Sequence, residues 1–210
     1  MFSTRIKLAL VAVATAVALL AAGCSNSDDK DGSMPGMDHG ASSSSAPAAS
    51  SSAPAARTDF NAADITFLQM MYPHHAQAVE MAELVPSRSQ NQELITLAKS
   101  VEQAQSPEMQ QISTLLQAFG KPAPSATMGG HQGMSGMMTD DQMKQLEKLS
   151  GAEFDKMWMR MMIEHHQGAI AMASTELATG QNADAKALAQ AITGAQQGEI
   201  DQMNRMLAQS

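Results

Sequence analysis

The sequence predicts an all-α protein: a four-helix bundle built from two copies of a helical hairpin, behind an N-terminal tether. Three observations predict it. Residues Asp64–Leu116 fall without a gap on Asp155–Leu207 at a shift of 91, with 17 of 53 positions identical; identity that long in one register marks an internal duplication. In each copy the chemically distinctive residues recur at three- and four-residue steps (Phe67, Met70, Met71, His74, Ala78 and Met81 in the first), the spacing of a helical face. No alternating strand pattern competes. A single amphipathic hairpin cannot bury its own apolar face, so the two copies should pair.

Residues 1–23 have the order of a secretory signal: Arg5 and Lys7, an apolar run from Leu8 to Leu20, then small residues. That run is short of the ~20 residues of a permanent membrane span. Leu20-Ala21-Ala22-Gly23-Cys24 resembles a bacterial lipobox, which implies diacylglycerol on Cys24 and an extracytoplasmic protein held to the cell membrane. Residues 24–58 read as a disordered tether, because a stretch of nearly pure Ser, Ala and Pro cannot bury enough apolar surface to offset ordering.

The first hairpin is assigned to residues 59–119. Asn61-x-x-Asp64 is a capping pattern, Val85-Pro86-Ser87 should end the first helix, and Leu94, Leu97, Ala98, Val101, Met109, Ile112 and Leu116 line the second. A Met/Gly/His linker spans 120–138, and the second hairpin spans 139–209. There a short helix, Asp140–Leu149 capped by Thr139, should precede the long one. Ser150-x-x-Glu153 reads as the stronger capping box, and Thr179-Gly180 as the stop. Pro107 and Gly198 occupy matching points and should kink the two second helices.

Composition narrows the function. The chain has 13 Lys+Arg against 21 Asp+Glu, a net −8 that argues against a duplex nucleic-acid partner. One cysteine excludes a disulfide framework and any Cys-rich zinc module. The 19 methionines stand out, and they cluster with histidine. On a helix, residues four apart stack, so Met70 lies under His74 and Met71 under His75, as Met161 and Met162 do under His165 and His166. Each first helix thus offers thioether and imidazole within one turn. Imidazole suits copper and zinc, and thioether sulfur favours Cu(I). Adjacent histidines point about 100° apart, so one of each pair should reach a shared axial site, and the sequence does not choose which. A Met stripe alone is often core filling. Two His-His pairs at equivalent places tip the reading to metal, since a buried imidazole must find partners.

Met34, Met37 and His39 in the tether, and Met128, His131, Met134, Met137 and Met138 in the linker, form accessory clusters. Folding does not ask for methionine in Gly-rich loops, whereas ligand exchange of a soft ion does.

The doubled MMxxHHxxAxxMA motif, Met70–Ala82 and Met161–Ala173, resembles the bacterial family known as domain of unknown function 305 over about residues 59–208. The resemblance implies a ferritin-like bundle and a copper-binding envelope protein. The positions it carries over are Met70, Met71, His74, His75, Met81, Met161, Met162, His165, His166 and Met172. Tyr72-Pro73 stands where the second motif has Ile163-Glu164, so the half-sites need not be equal.

The expected function is sequestration or transfer of copper, Cu(I) first and Cu(II) second, without catalysis. A homo-oligomer and a copper-accepting partner stay open. Two other classes compete. A di-iron or di-manganese enzyme would need Glu-x-x-His, and Met71, Tyr72, Met162 and Ile163 stand in the glutamate positions. A metal-free interaction module would make the histidines core residues. Glu108/Glu199 and Gln111/Gln202 also match between copies and could form a polar layer inside the bundle.

Overall fold

The computed structural model describes residues 57–126 and 134–209, all within the compact unit Ser51–Ser210. The signal, Cys24, most of the tether, Met34, Met37, His39, Met128 and His131 lie outside the described residues. The described chain has five helices and no strand: α1 (Ala62–Arg88), α2 (Gln92–Ala118), α3 (Asp140–Glu147), α4 (Gly151–Thr179) and α5 (Ala183–Ala208). Helices α1 and α2 pack as one hairpin, α4 and α5 as another; α1 lies against α4, and α2 more lightly against α5.

The caps explain the element boundaries. Asn91 and Asn182, which are 91 residues apart, each accept two backbone N–H groups at the starts of α2 and α5. At α1 the capping box is complete: the Asn61 side chain accepts from Asp64 N, and Asp64 accepts from Asn61 N at 2.6 Å. At α4 the expected box fails, since Ser150 makes no side-chain cap bond. Gly151 follows it at φ 62°, a left-handed turn that carries the Ser150 hydroxyl off the first helical turn. Helix α1 runs past Pro86 to Arg88, and α2 and α5 continue through Pro107 and Gly198. Helix α3 stops two residues short of the expected end, at Glu147.

The core consists of two apolar clusters. One holds Val85, Leu94, Val101, Phe154, Trp158 and Met203, under α3; the other holds Phe67, Leu68, Ile112, Leu116, Leu188 and Ile192. Helices α1 and α4 run antiparallel, shown by three contacts along the seam: the Asp64 carboxyl beside that of Glu176, His74 on His165, and Trp158 Nε1–H donating to Met81 O at 2.8 Å. At a shift of 91 the Trp158–Met81 contact has Phe67 and Met172 as its counterparts, and the His74–His165 pair is its own counterpart.

Two expectations about the segments between helices need correction. Arg57, assigned to the tether, is docked: its N–H bonds Ala118 O at 3.0 Å and its guanidinium pairs with Asp59 and Asp184. The end of the linker is not a loose loop either. Met138 is buried in the core, and Gln77 clamps its backbone from both sides, Nε2 donating to Met138 O at 2.9 Å and Oε1 accepting from Met138 N at 2.7 Å.

Candidate metal centre

Between the two apolar clusters, each long helix contributes polar residues: His74 and His75 from α1, Gln105 and Glu108 from α2, His165 and His166 from α4, Gln196 and Glu199 from α5. The sequence places them there because Gln105 stands four residues past Val101 and seven before Ile112, on the buried stripe, and Gln196 stands four past Ile192. All four histidines have 0% exposure, and both glutamines have 2%.

Three imidazoles are oriented by hydrogen bonds at Nε2. His75 Nε2 lies 2.7 Å from Glu108 Oε2, and His166 Nε2 lies 2.6 Å from Glu199 Oε2. In the neutral ring each carboxylate holds the Nε2–H, which leaves the other nitrogen its lone pair. His74 Nε2 donates to Ser135 O at 3.3 Å, a bond that fixes the same tautomer because a carbonyl can only accept. His165 has no hydrogen-bond partner on either nitrogen and lies against His74, ring centroids 3.7 Å apart and planes tilted by 39°. Nδ1 of all four rings, Nε2 of His165, and both amide atoms of Gln105 and Gln196 are buried without a partner. Such groups cost about 1–3 kcal/mol each when left unmade, so the layer is a deliberate polar break in an otherwise apolar core.

Burial, then the neighbouring His75, lowers the His74 pKa to about 3; burial, then His74, holds His165 well below its ordinary value. Both rings are therefore neutral at pH 7, the form that ligates metal. Among the described residues, no three of the His, Cys, Asp and Glu donors stand close enough around one point to clasp an ion as they are. The His74 and His165 rings are in contact, and an ion taken between them must part them.

A strap of linker residues 134–138 crosses the α1/α4 seam beside the layer. It lies so close that a Cβ on Gly168 would come 2.0 Å from Ser135 O, and one on Gly136 would come 2.7 Å from Glu164 O. Gly136 also needs its φ of 80°. The strap leaves Met134 and Met137 half-buried.

The structure thus brings together the four predicted histidines and separates the predicted methionines. Met71 packs in one apolar cluster, Met81, Met161 and Met162 in the other, while Met70 and Met172 line a groove between α1 and α4. The polar layer takes Gln105 and Gln196, not the expected Gln111 and Gln202. Gln111 is exposed and Gln202 half-buried, off the stripe that carries Val101 and Ile112. Ser135 O was not legible in the sequence, because backbone contact across 61 residues leaves no residue-type signal.

The fold and site define an all-helical protein with a buried histidine–carboxylate layer of metal-ligating chemistry. The chain belongs to the family described as domain of unknown function (DUF305), whose model matches residues 64–207. It is similar to a DUF305 protein of Streptomyces coelicolor assigned as secreted (32% identity, 70% of this chain and 93% of that one, TM-score 0.64). It is also similar to a DUF305 fragment from Deinococcus radiodurans (31%, 71% and 98%, 0.66). A third neighbour is CopM, solved in a Cu(II)-bound form (32%, 70% and 96%, 0.62) and also in Cu(I)-bound and silver-bound forms. No protein of curated function matches the chain. Among the described residues no helix is long and apolar enough to cross a membrane.

Proposed function

We propose that this chain is a non-catalytic copper-binding protein of the cell envelope, which collects copper through Met and His side chains and holds it in the histidine layer for sequestration or transfer. One observation carries the reading: five imidazole nitrogens of His74, His75, His165 and His166 are buried in one layer with no partner. Copper is the cargo. His75 and His166 take it through Nδ1, with Glu108 and Glu199 holding their Nε2–H groups, and His74 and His165 join when their ring contact opens. The imidazoles accept either oxidation state, and the thioethers on both sides of the layer favour Cu(I). CopM's copper-bound and silver-bound forms support the same ion class.

In this reading the two hairpins are duplicated halves of a ferritin-like bundle, with Cys24 anchoring a lipoprotein through the 24–58 tether. Met34, Met37, His39, Met128, His131, Met134 and Met137 deliver copper by ligand exchange, to or from a partner protein. A di-metal oxidase is disfavoured: Glu108 and Glu199 are tied to histidine Nε2 atoms, and Asp64 is spent on the Asn61, Gln181 and Asn182 backbone N–H groups.

Competition for Cu(I) against a chromophoric chelator tests the proposal. Replacing His74, His75, His165 and His166 with alanine should abolish tight binding with helical circular dichroism retained. The E108Q/E199Q pair should weaken it by about 10–100-fold by releasing two rings. Unchanged affinity in the histidine variant would move the site to the loops.

A further inference from the structure

The two ends of the α1/α4 seam occupy equivalent places in the repeats but are finished differently. At one end Trp158 is fully buried against Met81, beneath Met138, Met143 and Leu146. At the other, the smaller Phe67 holds the place of Trp158, Met172 that of Met81, and Glu176 that of Val85. A groove of about 400 Å³ remains there, walled by Phe67, Met70, Met172 and Glu176, with Thr66 and Thr175 at its rim. Met70 and Met172 are half-buried in it, whereas their counterparts Met161 and Met81 are buried.

Glu176 is the odd member. It is 1% exposed, and its carboxyl shares a hydrogen bond with that of Asp64. At the equivalent place in the other repeat, Val85 packs in an apolar cluster. Gly180 makes room for it: a Cβ there would stand 2.1 Å from Glu176 Oε1.

We propose that the groove is a second soft-cation site, distinct from the histidine layer, in which the Met70 and Met172 thioethers and the Glu176 carboxylate bind one Cu(I) or Ag(I) ion. The proposal rests on the copper reading and extends it. Two neutral thioethers select a soft ion, and one carboxylate balances its single charge. The groove opens to solvent one helical turn from His74, which makes it a port to the layer.

The test is an Ag(I) titration of the full chain, read by the ¹³C-labelled methionine methyl resonances and by native mass spectrometry. The Met70 and Met172 methyls should shift together. They should shift equally in the variant lacking all four bundle histidines, which separates this site from the layer. The volume-conserving M70L/M172L pair should lose one bound Ag(I). E176Q should weaken the groove about tenfold with the methyl pattern retained, since it removes the charge and keeps the shape. Unmoved Met70 and Met172 methyls, or full silver stoichiometry in M70L/M172L, would overturn the proposal whatever the histidine variant does.

Discussion

Replacing Gln105 with leucine should make the metal-free protein more stable. The Gln105 side chain is 2% exposed, and neither its amide nitrogen nor its amide oxygen has a partner. A buried unmade polar group costs about 1–3 kcal/mol, and leucine of similar volume removes both while adding apolar burial on a stripe shared with Val101 and Ile112. A gain of about 1–3 kcal/mol is expected, a rise of roughly 2–4 °C in Tm per kcal/mol for a domain of this size. Urea unfolding followed by circular dichroism, on protein stripped of metal with a chelator, measures it. Q196L should behave alike, because residue 196 is the counterpart of 105. Destabilisation by more than about 1 kcal/mol would refute the reasoning, for it would mean the amide is satisfied in solution and part of a working network.

Two further outcomes follow from the same geometry. Gly168→Ala should push the strap off α4, since its Cβ would meet Ser135 O at 2.0 Å; amide exchange at residues 134–138 should accelerate while the α2 and α5 amides stay protected. The pH dependence has two parts of opposite sign. His74 is lowered from 6.5 to about 3, so the unfolded chain binds more protons between those values and stability falls as pH drops through that window. Glu176 is raised from 4.5 to about 8, so its contribution is full at low pH and is lost as pH rises towards 8. Denaturation at several pH values should show H74Q flattening the acid side and E176Q the neutral-to-basic side; a slope unchanged by H74Q would contradict its burial as a neutral ring.

Much of the site was legible before any coordinates. The His-His pairs repeat on a helical face, and a face that carries two copies of a costly polar group at matched positions marks them for a shared interior. Glu108 and Glu199 were visible as matched positions, and they do hold His75 and His166. Gln111 and Gln202 matched equally well, yet the layer uses Gln105 and Gln196, a choice that following the apolar stripe through Val101 and Ile112 would have made. The Ser150 cap failed for a local reason, the left-handed Gly151, and the Asn61 box succeeded because Asp64 is further held by the α4–α5 turn.

From sequence alone come the helical class, the repeat and the histidine inventory, because periodicity and self-similarity are properties of order along a chain. Only the tertiary structure decided that His74 lies against His165, that Ser135 reaches His74, and that Met70 joins Met172 and Glu176 while Met71 and Met162 pack in the core. Those outcomes depend on how two helices are phased about their axes. Spacing within one helix places a residue on a face, and only the partner helix determines what that face meets.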